Sequence, residues 1–187
     1  MYELSFNGDI YLQETFTKLF KLHQPDMIIE TGTYMGDTTE FLSSFNIPVI
    51  TTEINKHFYN LSCEKLKSKT NVSILLGDSE NKLNENIDKI INKKILFFLD
   101  SHFLNDNVLE RELILLKKLL IKPIIIIHDF YVPNKDFAYD VWDGHRYDYD
   151  FYKEYFDKLF GEDKYTYKYN TEALGARVGV IILEPID

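Results

Sequence analysis

Two stretches of this chain, Ile95-Leu96-Phe97-Phe98-Leu99 and Pro123-Ile124-Ile125-Ile126-Ile127, are apolar at every position. A strand with one face in water alternates apolar and polar residues, so an unbroken apolar run predicts a strand covered on both faces, as in a parallel sheet layered between helices. Less uniformly apolar strand-like runs occupy residues 26–30, 49–53 and 72–76. Segments with apolar residues three and four apart precede, separate or follow them, at about 9–24, 38–45, 55–68, 79–92 and 108–120. Strands alternating with helices predict βα units, and right-handed crossovers make the first five strands parallel.

The stretch from Asp26 to Thr39 organises the rest. Met27 to Ile29 runs into Glu30, and Gly32 and Gly36 follow before a segment that can begin a helix. A strand, a tight turn and a helix N-terminus form the corner where open α/β sheets hold a nucleotide-like ligand. The pattern is E-x-G-x-x-x-G-x-T, with Tyr34 where a dinucleotide fingerprint has its second glycine. Tyr34 obstructs backbone approach to a pyrophosphate, which disfavours a nicotinamide-dependent oxidoreductase. A ligand bearing a carboxylate and no phosphate needs only one open turn.

This stretch resembles motif I of the class I S-adenosylmethionine-dependent methyltransferases. The resemblance extends over nearly the whole chain and implies a Rossmann-like, doubly wound seven-stranded sheet of order 3-2-1-4-5-7-6 with helices on both faces. Its last two strands are expected as a hairpin at about 164–169 and 177–183, after a helix at about 150–160. The whole is expected to be one domain.

Glu30, Glu53, Asp78, Asp100 and Asp129 each stand where an apolar strand stops. Any one of them could simply cap the next helix. Five together suit an adenosyl ligand: a carboxylate accepts two hydroxyls of a ribose, an adenine amino group needs an acceptor, and a sulfonium favours a negative crevice. By resemblance, Glu30, Gly32 and Gly36 carry motif I, Glu53 the ribose and Asp78 the adenine. Thr33, Tyr34, Thr38, Ser79 and Asp100 complete the expected cofactor set, with the methionine carboxylate on the amides between Gly32 and Gly36.

The segments Ile-Leu-Phe-Phe-Leu-Asp-Ser-His and Ile-Ile-Ile-Ile-His-Asp-Phe look like the corresponding strands of small O-methyltransferases of the macrocin and catechol type, and of cephalosporin hydroxylase-like proteins. That likeness implies a divalent cation at Asp100, His128 and Asp129 that favours the ionised acceptor hydroxyl. An imidazole suits zinc, iron or manganese better than magnesium. The metal-free alternative is a general base, with His128, His102 and His145 as candidates in that order. Asp100, His128 and His102 are therefore the expected catalytic residues.

Between Phe130 and Tyr149 lies a 20-residue aromatic and acidic segment, read as a lid or substrate-binding insertion. Tyr131, Trp142 and His145 are its expected substrate contacts; a homodimer contact is the competing reading, since tyrosine and tryptophan also mark interfaces. Lys+Arg total 21 against Asp+Glu 30, a net charge of −9 that disfavours a nucleic-acid substrate. The single cysteine, Cys63, has no internal partner, and no apolar run is long enough to span a bilayer. A reduced, cytoplasmic setting is the expectation, with a small hydroxylated molecule as methyl acceptor. A binding or assembly protein that keeps the pocket without chemistry is the non-enzymatic alternative.

Overall fold

The computed structural model describes residues 4–101 and 106–186. A 3-10 turn, Ser5–Gly8, precedes helix α1 (Ile10–His23), which Asp9 caps by accepting the N–H groups of Tyr11 and Leu12. There follow β1 (Met27–Thr31), α2 (Asp37–Ser43), β2 (Val49–Glu53), α3 (Lys56–Leu66), β3 (Val72–Leu76), α4 (Ser79–Glu85), the short α5 (Ile87–Ile90), β4 (Ile95–Leu99), α6 (Val108–Leu116) and β5 (Ile124–Ile127). The two-residue strands β6 (Val141–Trp142) and β7 (His145–Arg146), then α7 (Tyr149–Phe160), β8 (Tyr165–Tyr169) and β9 (Ile181–Pro185), complete the chain.

The seven-stranded sheet has the order β3-β2-β1-β4-β5-β9-β8. Strands β1 to β5 are mutually parallel and β9 is antiparallel to both β5 and β8, as the sequence resemblance implies. Successive side chains of a strand point to opposite faces, and both faces are dry. Ile95, Phe97 and Leu99 of β4 pack with Leu109 and Leu113 of α6 and Tyr152 and Phe156 of α7. Leu96 and Phe98 pack on the other face with Phe6, Phe16 of α1 and Phe41 of α2. Full burial of each such side chain stabilises the fold by about 1.5–3 kcal/mol, which is why these strands carry no polar alternation.

Three element boundaries differ from the sequence expectation. The helix expected at 79–92 breaks at Asn86, whose φ of −107° and ψ of 14° are not helical. Helix α6 stops at Leu116 rather than 120. Strand β9 starts at Ile181 rather than 177, because the preceding residues bond elsewhere: Gly179 donates to the Ala138 carbonyl, and Ala138 donates to the Arg177 carbonyl. The 130–149 segment is thus stitched to the return loop before β9. Its tip is a β6–β7 hairpin closed through Asp143 and Gly144, both at positive φ, a conformation that twists with the flanking strands.

Candidate functional site

Parallel strands β1 to β4 deliver their C-terminal ends to one cleft of about 360 Å³, bordered by Asn7, Gly32, Tyr34, Glu53, Phe58, Ser79, Asp100 and Ser101 among others. Beneath the turn that borders it lies Glu30, which is completely buried. One carboxylate oxygen, Oε2, accepts the Thr39 hydroxyl at 2.5 Å and the Thr51 hydroxyl at 2.7 Å. Burial pushes the carboxyl up to about 8, against the lowering effect of the two threonines. Glu30 therefore underpins the turn from below and does not line the cleft.

The turn after β1 is bound inward. Gly32 and Thr33 donate to the Thr52 carbonyl, Tyr34 donates to Glu53, and Gly36 donates to the Thr33 carbonyl. Four of the five N–H groups from Gly32 to Gly36, the expected seat for a methionine carboxylate, therefore already have acceptors. Thr33 is buried, its hydroxyl 2.7 Å from that of Thr51, and the Thr38 hydroxyl accepts the N–H of Phe6 at 2.9 Å. Neither threonine hydroxyl faces the cleft; both hold the turn in place. Gly32 and Tyr34 do border it, and Gly36 caps α2.

Glu53, at the end of β2, accepts the Tyr34 N–H on Oε2 and the Asn55 N–H on Oε1, each at 2.7 Å. A carboxylate has about four acceptor positions, so each oxygen retains one for a ligand in the cleft that Glu53 lines. The rings of Tyr34 and Phe58 stand 4.4 Å apart beside it. Phe58, Ile54 and Asn7 were not among the residues singled out from the sequence. Phe58 and Ile54 resemble any apolar residues beside a helix start, and Asn7 reaches the site only because the N-terminal 3-10 turn folds over the sheet.

Asp78, the expected adenine contact, is not among the cleft-lining residues. Both its oxygens accept from the Arg111 guanidinium, at 3.0 and 2.9 Å, and Oδ1 also caps α4 through the Asn81 N–H. Arg111 holds its carboxyl below the usual range. Its neighbours Gly77 and Ser79 line the cleft in its place. Ser79 donates to Glu112 at 2.5 Å and Ser101 donates to the same oxygen at 2.6 Å, with Glu112 fully buried beneath them.

Asp100 links this cleft to a second group of charges. His128 Nδ1 lies 3.1 Å from Asp100 and 3.0 Å from Asp129, and one donor atom from each of the three residues falls within 4.8 Å of the others. Burial alone would lower the imidazole pKa, but the Asp100 and Asp129 carboxylates outweigh it and hold His128 well above its ordinary value. Burial raises Asp100, against His128, which lowers it, and Asp129 adds to the rise. Asp140, from the insertion, donates its N–H to the Asp129 carbonyl; burial and the Asp129 and Asp100 charges push its carboxyl up to about 6. His102 lies outside the described residues.

Tyr131, Trp142 and His145 are not among the cleft-lining residues. Trp142 and His145 pair with each other across the β6–β7 hairpin, and the His145 ring stacks on Phe151 at 5.0 Å. Tyr131 donates its N–H to the Tyr147 carbonyl, and the Arg146 guanidinium covers its ring at 4.0 Å.

No family model matches the chain. A stretch of 61 residues, 33% of the chain, is 38% identical to an rRNA adenine N-6-methyltransferase of Escherichia coli and spans 25% of that protein. The Clostridium perfringens protein of the same description is 36% identical over 61 residues, so the chain matches about a quarter of the length of these curated relatives. Among solved structures, the O-methyltransferase TomG from Streptomyces achromogenes, in complex with S-adenosylmethionine, superposes with a TM-score of 0.67 at 15% identity, covering 95% of this chain and 80% of that one. An O-methyltransferase from Bacillus cereus gives a TM-score of 0.68 at 14% identity over 93% of this chain and 80% of its own. With the strand order and the cleft at the ends of β1 to β4, these likenesses give the chain the fold of the class I S-adenosylmethionine-dependent methyltransferases.

Proposed function

We propose that the chain is an S-adenosylmethionine-dependent methyltransferase that moves a methyl group to a hydroxyl of a small molecule, a sugar or natural-product intermediate. The observation that carries this reading is Asp100, which lines the cleft on one side and meets His128 on the other. The adenosyl group lies along β1 to β4 with its ribose diol on the remaining acceptors of Glu53, and the acceptor hydroxyl lies toward Asp129. The similarity to O-methyltransferases, one of them described as taking part in tomaymycin synthesis, supports the acceptor class.

In transfer, the acceptor oxygen attacks the methyl carbon in line, the carbon–sulfur bond breaks, and the thioether leaves uncharged. The chain contributes mainly by positioning the two partners. The hydroxyl proton must also depart. His128 is poorly suited to take it, because its two carboxylate neighbours keep the imidazole protonated near neutral pH; it acts here as a positioning residue for Asp100 and Asp129. The proton passes to Asp100, whose raised pKa makes it the better base of the ordinary carboxylates.

The donor set of two carboxylates and one imidazole also fits a borderline divalent cation, which Asp100, His128 and Asp129 would hold. Such an ion, when bound, supplies Lewis acidity that favours the ionised hydroxyl. Titration calorimetry with S-adenosylmethionine and separately with NAD tests the cofactor. Methyl transfer to hydroxylated acceptors, with and without chelator, tests the rest. Tight binding of NAD alone would overturn the reading, and cofactor binding without transfer to any acceptor would favour a binding protein.

A second reading is transfer to an adenine amino group in RNA, favoured by the 61-residue similarity to rRNA methyltransferases. The excess of 30 acidic over 21 basic residues opposes it, because RNA backbones require a basic footprint. Methylation of an RNA transcript and of no small hydroxylated compound would decide for it.

A further inference from the structure

The wall of the cleft between the ends of β3 and β4 has a fixed hydrogen-bonding polarity. A serine hydroxyl has one proton to donate and two lone pairs. Ser79 and Ser101 both direct that proton to Oε1 of Glu112, at 2.5 and 2.6 Å. Their oxygens stand 3.4 Å apart, and both residues border the cleft. With both protons engaged, the hydroxyls have only lone pairs left for a ligand.

Glu112 is wholly buried on α6, where the Thr31 hydroxyl joins the two serines in lowering its pKa, and no hydrogen bond of ordinary geometry reaches its other oxygen, Oε2, among the described residues. Burial pushes the carboxyl up to about 7, but a proton taken by Oε2 leaves Oε1 free to accept from both serines. The polarity of the pair therefore survives either ionisation state. Asp78, the other acceptor at this end of β3, pairs with Arg111 and is not among the cleft-lining residues.

We propose that Glu112, acting through Ser79 and Ser101, makes the cleft selective for an amino purine over a keto purine. This rests on the reading of the cleft as an adenosyl site. An exocyclic amino group donates to the two hydroxyl oxygens; a keto oxygen at the same place brings lone pairs against lone pairs and leaves buried acceptors unpaired. Glu112 is a positioning residue, since it touches the ligand only through the serines.

The test is titration calorimetry of the full chain with S-adenosylhomocysteine and S-inosylhomocysteine. The wild type should prefer the adenosyl compound by about tenfold or more. Glu112→Gln should keep that ratio, because the amide oxygen can accept both hydroxyls. Glu112→Met should bring the two affinities within about twofold, because the freed serine protons can then turn to meet the keto oxygen. Ser79→Ala and Ser101→Ala should each lower the ratio, and they decide the matter if Glu112→Met does not fold. Equal binding of both compounds by the wild type, or an unchanged ratio in Glu112→Met and both serine variants, would overturn the proposal while leaving the cofactor assignment standing. Failure of the wild type to bind either compound would remove both.

Discussion

The Glu53 carboxylate accepts the backbone N–H of Tyr34 at 2.7 Å, so the end of β2 fixes the turn that leaves β1. With Asn55 donating to the other oxygen, Glu53 is both a brace and a candidate ligand contact. In Glu53→Gln one of these N–H groups would face an amide NH2 group, donor against donor. We expect a stability loss of about 1–2 kcal/mol and at least about tenfold weaker binding of S-adenosylhomocysteine, read by chemical denaturation and calorimetry. Unaltered affinity would separate Glu53 from the ligand.

Gly32 cannot be enlarged without cost. A Cβ there would stand 2.4 Å from the Asp100 carbonyl oxygen, and its φ of +87° disfavours any other residue. Gly32→Ala should cost about 1–3 kcal/mol, a fall in melting temperature of roughly 5 °C, and should weaken cofactor binding as β1 and β4 part. A melting temperature equal to wild type would contradict this packing.

Glu30 makes stability depend on pH. Its carboxyl is raised from an ordinary value of 4.5 to about 8 by burial, so the fold favours the neutral form. The contribution is fully present below the unfolded pKa and is lost as pH rises toward the folded one. Glu112, pushed up to about 7, acts with the same sign. Thermal melts should therefore decline between about pH 5 and 8, and Glu30→Gln should flatten part of that slope because its amide oxygen can still accept Thr39 and Thr51. Parallel slopes in the two proteins would show that Glu30 is not the titrating group.

Asp78 should matter more to stability than to ligand binding. Arg111 occupies its two oxygens, and its lowered pKa gives a contribution present above the unfolded value and lost as pH falls through the folded one. Asp78→Asn should cost about 1 kcal/mol at neutral pH and shift S-adenosylhomocysteine affinity by less than about threefold. A large affinity loss with little destabilisation would restore Asp78 as an adenine contact.

The sheet was legible because its central strands are apolar on both faces, and of the five acids at strand ends two border the cleft. Glu53 and Asp100 line that cleft as expected. What sequence could not supply was the partner of each acid. Arg111 lies 33 residues after Asp78, and only the packing of α6 beside α4 brings them together. Glu112 gave no signal either, since an acid at a helical position ordinarily faces water. The start of β9 was misplaced because Val178 and Gly179 look like strand but bond to Ala138.

Gly175 does not touch the cleft, yet a side chain there would lie 1.8 Å from the carbonyl oxygen of Asn7, which does border it. The return loop before the last strand and the N-terminal turn are therefore wedged together with no slack between them. Bulk added at position 175 would be transmitted to the mouth of the cleft, so this outlying loop helps set the shape of a site to which it contributes no atom.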